Sequence, residues 1–438
     1  MMNSNFETYL KLSGYDISRA EELLKQIQGF SKDEFTHWQT KQKWKIAHYH
    51  YENNSFYRKK VGNHFPEDWV DLPVLQKSDF QDDLSSLLSM GYTKHNTYIA
   101  NTSGSSGHPF YFAKNKAAHA MDWAVIKDRY NWHGLSLSDK QARYYGIPLD
   151  QWSYRKEKIK DWIMNRVRLP IFDLSDETLE QHLSIFKETA FVYVYGYTNA
   201  LVLFARFLLK KQIALTSICP SLRTCISTSE VLTPEDRTIL KQAFGVNVIN
   251  EYGASEVGLL AYETPENEWL LCEETLFMET TQIEQAELDE GEGHIVVTDL
   301  DNLAMPFIRY NIGDIGLLGK ETVSGSNNRK LEKLSGRVND TIKLPSGKVA
   351  PGLTFYYVSR SILESSNILK EFIIRQTALD TFIFEIVSER ELNDNEIQGI
   401  QEKMNLYLES GLNLEIRRVR EIQRPPSGKI KHFYSELD

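Results

Sequence analysis

Cysteine is scarce in this chain. Cys219, Cys225 and Cys272 are the only three among 438 residues, and no two of them stand in a CxxC spacing. That excludes a disulfide framework and a cysteine-ligated zinc site, and leaves three small buried hydrophobes in a reducing compartment. Long apolar runs are also missing. A membrane-spanning helix needs roughly 18–20 consecutive apolar residues, and the best run, residues 200–209, is broken by Arg206. Residues 1–16 are polar and lack the apolar core of a secretory signal. Nor is there a basic excess: 50 Lys and Arg face 60 Asp and Glu, a formal net charge of −10. That balance argues against a nucleic-acid binder, while leaving room for a local basic patch around an anionic cofactor. The expectation is a cytoplasmic protein with no membrane span and no nucleic-acid partner.

The length exceeds what one core usually holds, and the texture of the sequence changes twice. Residues 1–95 are helical in pattern and rich in aromatics, and form the N-terminal segment of a large domain. Residues 96–337 alternate short β-rich runs with helical ones: strands are expected at 191–195, 222–226, 246–249 and 294–298, and helices at 200–211 and from Thr233-Pro234 onward. Residues 338–438 read as a small α+β unit, with strands at 371–375, 381–387 and 414–419 and a helix over 393–408 carrying Ile397, Ile400, Met404 and Leu408 on one stripe. The fold class is therefore α/β: a large N-terminal domain followed by a small α+β C-terminal domain.

Five short elements carry chemistry. The first is Thr102-Ser103-Gly104-Ser105-Ser106-Gly107-His108-Pro109. Glycines let backbone N–H groups approach an anion and the hydroxyls add donors, which suits a triphosphate. It is not a Walker A loop, because the Gly-Lys-Ser/Thr ending is absent. The second, Glu251-Tyr252-Gly253-Ala254-Ser255-Glu256, follows the strand at 246–249 and so lies where α/β ligand sites collect. Tyr252 has a flat face for a base, and Glu256 a hard oxygen for Mg²⁺. The third, Tyr310-Asn311-Ile312-Gly313-Asp314, holds a carboxylate that can accept both hydroxyls of a ribose. The fourth, Gly336-Arg337-Val338-Asn339-Asp340-Thr341-Ile342-Lys343, sits at the second texture change and brings a permanent cation. The fifth, Pro425-Pro426-Ser427-Gly428-Lys429, presents a lysine from a stiff turn. Taken singly, each reads as well as a polar turn, a capped loop, a charged linker or a solvated lysine.

The order of the five changes that balance. In this order they resemble the acyl-adenylate-forming (AMP-binding) superfamily of acyl-CoA ligases, luciferases and peptide-synthetase adenylation domains, over about three-quarters of the chain. Within it the chain looks most like the phenylacetate–CoA ligase branch, including its capsular-polysaccharide-associated relatives; Phe56-Tyr57-Arg58-Lys59, Leu169-Pro170-Ile171-Phe172-Asp173-Leu174 and Tyr195-Gly196-Tyr197 fit that branch. The resemblance implies an AMP-forming acid–thiol ligase that uses ATP, Mg²⁺ and coenzyme A. Thr102, Ser103, Gly104, Ser105, Ser106 and Gly107 would clasp the β- and γ-phosphates. Glu251, Tyr252, Gly253 and Ser255 would line the adenine and α-phosphate site, with Ser229 and Glu230 flanking the adenine and acyl pocket. Glu256 would help hold Mg²⁺, and Asp314 the ribose, with Arg337 nearby. Lys429 would bridge the substrate carboxylate and the α-phosphate. The resemblance makes the large N-terminal domain multi-sheet and the small α+β C-terminal domain mobile: Asn339 and Asp340 would form the hinge on which the small domain alternates between two poses, and Gly347 would line a pantetheine tunnel. A homodimer through the N-terminal region is also implied.

Three departures from the pattern stand out: His108 occupies a position where lysine is frequent, Asn339 replaces the usual acidic hinge residue, and the cysteine-rich metal site of some relatives is missing. Candidates for the acyl pocket are Tyr144, Tyr145, Tyr195, Tyr197, Asn199 and Ser229, an aromatic set suited to an aryl or arylacetic acid. An amine, a sugar or a separate carrier-protein thiol is the alternative acceptor to coenzyme A.

Overall fold

The computed structural model describes residues 5–80, 82–102, 110–146, 151–281, 291–323, 325–335, 341–351, 354–355, 358, 369–388, 390–420, 422 and 433–437. The chain forms two compact units that interleave along the sequence. The first takes in Met1–Thr102, Phe110–Leu137 and Glu251–Gly336; the second takes in Ser138–Asn250 and Arg337–Asp438.

The first unit opens with helices Asn5–Leu12, Ile17–Gln28, Lys32–Asn53 and Ser55–Val61. Their starts are set by side chains that satisfy the free N–H groups of a first turn. Asp16 accepts from Arg19 N, Asn54 accepts from Tyr57 N, and Ser31 with Glu34 makes a complete capping box. These helices cover a sheet whose neighbouring strands run, in order, Leu276–Thr281, Glu292–Asp299, Tyr310–Thr322, Arg329–Ser335, Trp269–Leu271, Gly258–Glu263 and Asn247–Ala254. Each neighbouring pair among them is antiparallel. A separate antiparallel pair, Thr97–Thr102 with Phe110–Asn115, leads into the long helix Lys116–Trp132. The core gathers Phe80, Phe112, Tyr252, Phe307 and Tyr310. Inside it, fully buried Arg129 grips both oxygens of Glu274 at 2.7 Å.

The second unit contains four parallel strands in the order Thr224–Thr228, Tyr193–Tyr197, Gln141–Tyr144 and Arg166–Leu169. Helices Gln151–Ile163, Asp176–Glu188 and Thr198–Lys210 lie in the three crossovers that these parallel strands require, and helix Pro234–Phe244 follows Thr224–Thr228. Thr233 caps the last of these, Pro234 opens it, and Gly245 closes it at φ +73°. A smaller C-terminal sheet has the order Asn413–Arg418, Thr381–Ser388, Leu369–Ala378, Phe433–Ser435. Helix Asp394–Tyr407 packs Ile400, Met404 and Tyr407 inward, and Asn393 with Glu396 closes its capping box. The mixed α/β class, with a large sheet and a small C-terminal one, is what the patterning implies.

Element ends move in one instructive place. The strand expected to stop at Ile249 continues to Ala254, so Glu251, Tyr252 and Gly253 belong to the strand itself. Gly253 tolerates this because the register shifts between Tyr252 and Gly253, and a Cβ there would stand 3.2 Å from Gly258 O.

Candidate functional site

In the first unit the second and third motifs meet. Strand Asn247–Ala254 ends in a turn closed by Val257 N on Ala254 O at 3.1 Å, and the chain returns at Gly258 with φ +95°. This turn exposes Ser255 and buries Glu256. Strand Tyr310–Thr322 carries Gly313, φ +80°, whose N–H donates to Asn311 Oδ1, and then Asp314. Two hydrogen bonds cross between the motifs. Tyr252 Oη donates to Asp314 Oδ2 at 2.8 Å. Tyr310 Oη donates to Glu256 Oε1 at 3.0 Å. Each motif is Tyr-x-x-x-Asp/Glu, and the tyrosine of each anchors the carboxylate of the other. The identical spacing is readable in the sequence; the exchange of partners is not.

One group near Glu256 was not legible in the sequence. Lys114, on strand Phe110–Asn115, is 1% exposed and pairs with Asp122 at 2.7 Å and Asp299 at 3.9 Å. Burial pushes its amine down, but Asp122, Asp299 and Glu256 outweigh this and hold it above its usual value. A Cβ on Gly258 would lie 2.7 Å from Asp122 Oδ1 and 3.5 Å from Lys114 Nζ. The buried pair therefore packs under the turn that carries Glu256. No motif signals a lone lysine in a strand; only its burial marks it.

Glu256 fits a magnesium ligand. It is nearly buried, Tyr310 occupies one oxygen, and the other makes no hydrogen bond among the described residues. Mg²⁺ commonly takes only one or two protein carboxylates beside substrate phosphates, so one such carboxylate could serve.

In the second unit, candidate residues gather at the carboxyl ends of the parallel strands. Tyr145 follows Gln141–Tyr144, Tyr197 ends Tyr193–Tyr197, and Ser229 and Glu230 follow Thr224–Thr228. Tyr145 stacks on Tyr195 with ring centroids 5.6 Å apart and lies 4.1 Å from Tyr197. The Arg143 guanidinium sits 4.2 Å over Tyr145 and 4.6 Å over Tyr195. Tyr145 Oη is 3.3 Å from Ser229 Oγ, and Ser229 adopts φ +69°, a strained backbone for a non-glycine residue. Glu230 accepts from Asn199 N at 2.8 Å and Asn199 Nδ2 at 3.2 Å. Burial pushes its carboxyl up to about 7 despite those bonds. Gly196 lets the strands close up, since a Cβ there would stand 2.9 Å from Tyr144 O. Tyr144 is a correction to the pocket set: it is fully buried, and its ring stacks on Phe204 in the core.

Gly347 lies in an exposed turn between strands Thr341–Lys343 and Val349–Pro351, at φ +84°, where a Cβ would meet nothing within 4 Å. Thr102 ends its strand, paired with Phe110. Ser103, Gly104, Ser105, Ser106, Gly107, Arg337, Asn339, Asp340 and Lys429 lie outside the described residues.

The sequence matches no protein-family model and no curated protein. Solved structures do match it. 2-Hydroxyisobutyryl-CoA ligase in complex with 2-HIB-AMP and CoA, in the thioesterification state, superposes with a TM-score of 0.57 at 14% identity, covering 94% of this chain and 91% of that one. An open conformation of the same ligase, also with 2-HIB-AMP and CoA, gives 0.55 at 15% identity over 93% of each chain. At this identity the likeness establishes the fold alone, one shared with the 2-hydroxyisobutyryl-CoA ligase.

Proposed function

We propose that the chain is an AMP-forming acid–thiol ligase, which activates a carboxylic acid with ATP and passes the acyl group to coenzyme A. The observation that carries this reading is the crossed pair Tyr252–Asp314 and Tyr310–Glu256, which ties together motifs 62 and 54 residues apart. A ribose-binding carboxylate and a metal-binding carboxylate need a fixed mutual arrangement, and two interlocked hydroxyls supply one. The fold, and the ordered elements from residue 102 to residue 429, support the same reading.

In the first half-reaction an oxygen of the substrate carboxylate attacks the α-phosphorus and pyrophosphate leaves. Two anions must approach one another, so catalysis depends on cations preorganised where charge develops. Lys429 would meet the carboxylate and α-phosphate, Arg337 the phosphate or ribose oxygens, and residues 102–107 the leaving phosphates. Asp314, held by Tyr252, would orient the ribose. Mg²⁺ bound at Glu256 would neutralise phosphate charge and orient the triphosphate. In the second half-reaction a thiol attacks the acyl carbon and AMP leaves. A C-terminal domain pivoting at Asn339 and Asp340 would withdraw Lys429 and bring the turn at Gly347 toward the pantetheine arm. The tyrosines around Ser229 suit a flat acid, aryl or arylacetic, and a cytoplasmic setting supplies the ATP and coenzyme A.

Acid-dependent ATP–pyrophosphate exchange across a panel of carboxylic acids, followed by AMP release with and without coenzyme A, tests both halves. Exchange with aryl acids and faster AMP release with coenzyme A are expected. Turnover only with long-chain fatty acids would sink the acyl-pocket reading. Exchange that coenzyme A leaves unaccelerated would move the acceptor to an amine, a sugar or a carrier thiol.

A further inference from the structure

Helix Gln151–Ile163 has an outward face that the half-reactions above leave unused. Tyr154, Lys158 and Trp162 fall at i, i+4 and i+8, with Arg155 and Ile159 beside them, so the five form one continuous stripe. Tyr154, Ile159 and Trp162 are 39%, 59% and 74% exposed, and Arg155 and Lys158 are exposed as well. The carboxylates of the helix point the other way. Asp161 is buried against Arg166 and Arg168, and Glu157 bonds Arg168 Nη2 at 2.7 Å. The helix itself carries four Lys and Arg residues, Arg155, Lys156, Lys158 and Lys160, all exposed, in a chain whose net charge is −10. These four cations share the exposed surface of the helix with Tyr154, Ile159 and Trp162, while its two carboxylates face inward.

We propose that this face binds the 3′-phosphoadenosine diphosphate head of coenzyme A, with the base on Trp162 and the phosphates on Arg155 and Lys158. The proposal rests on the ligase reading above and adds to it the acceptor's nucleotide site. Cations interleaved with exposed aromatics are the combination that takes a polyanion bearing a flat base. A second copy of the chain would set like charges face to face, which opposes an isologous contact. A membrane-surface helix separates its apolar and basic faces, whereas here both kinds share one stripe. The position also fits. Arg168 donates through Nη1 to Gly146 O and through Nη2 to Glu157 Oε2, each at 2.7 Å. One guanidinium therefore links the inner side of the helix to the residue after Tyr145, at the rim of the aromatic pocket. The outer stripe then stands about one helix diameter, ~10 Å, from that rim, and an extended pantetheine arm spans more than this.

The test is thioester formation by R155E/K158E and by W162A, with coenzyme A and with pantetheine as alternative acceptors. Pyrophosphate exchange serves as the acceptor-free control. The charge reversal is expected to raise KM for coenzyme A about tenfold or more, and W162A several-fold. Pantetheine KM and the exchange rate should stay unchanged, and added salt should weaken the wild type's use of coenzyme A but not of pantetheine. An unchanged KM for coenzyme A in both variants overturns the proposal, as does an equal rise for pantetheine, which would mean the helix acts only through the shape of the pocket. A wild-type enzyme that performs exchange but ignores coenzyme A overturns the ligase reading and the proposal together, and is recognised before any variant is made.

Discussion

Tyr310→Phe removes one oxygen from the candidate site and leaves its packing. The ring keeps its edge contacts with Phe80 and Phe307, at 5.6 and 5.2 Å between centroids. What is lost is the 3.0 Å bond to Glu256 Oε1, between a fully buried phenol and a 5% exposed carboxylate. A buried hydrogen bond to a charged acceptor contributes about 1.5–3 kcal/mol. If Glu256 must hold its orientation while pyrophosphate is displaced from the α-phosphorus, that energy appears in the barrier as a loss of roughly 10- to 150-fold. The assay is acid-dependent ATP–pyrophosphate exchange at a series of Mg²⁺ concentrations, with urea unfolding alongside. The expected result is a fall in kcat/KM for MgATP within that range, a higher Mg²⁺ requirement, and a stability loss of about 1–2 kcal/mol. Tyr252→Phe should cost less, because Asp314 is half-exposed and water can replace the lost donor. Exchange within twofold of wild type at limiting Mg²⁺ would refute the idea that the crossed hydroxyls hold the two carboxylates for catalysis.

Three further outcomes are expected. Arg129→Met leaves Glu274 charged and buried without its partner, and should lower stability in urea unfolding by about 3–5 kcal/mol; R129M/E274L should recover most of it, and a single-variant cost below ~1 kcal/mol would contradict the pairing. Glu230 titrates near 7 in the folded chain because burial disfavours its anion, so its folded pKa lies above the ordinary 4.5 and the folded state keeps a proton that the unfolded state has released. Its effect is a stability that falls as pH rises from about 4.5 to about 7, at up to ~1.4 kcal/mol per pH unit; Glu230→Gln should flatten that part of the pH–stability curve, and an unaltered curve would count against a buried carboxyl there. Gly196→Ala places a methyl group against Tyr144, whose backbone oxygen would be 2.9 Å away, and should cost about 1–3 kcal/mol in thermal unfolding while disturbing Tyr195 and Tyr197; a variant as stable as wild type would show that the two strands can part without penalty.

The sequence by itself determined a good deal. Hydrophobic period and cap residues are local properties, and they mark the helices around Ile397 and Pro234 and the strands near Tyr193 and Thr224. The order of five short elements also carries the adenylate-forming resemblance, because order along a chain needs no geometry. Tertiary structure alone decided which hydroxyl meets which carboxylate. Tyr252 and Tyr310 each precede an acid by four residues, and nothing local says that each serves the other's acid. That exchange depends on which strands are placed together, as does the burial of Lys114 between Asp122 and Asp299. It also decided that Tyr144 is core while Tyr145 is rim: successive residues at a strand end face opposite ways, and which way is inward is set by the helices packed against the sheet. Long-range pairing is invisible to periodicity because its energy comes from contacts between residues tens of positions apart.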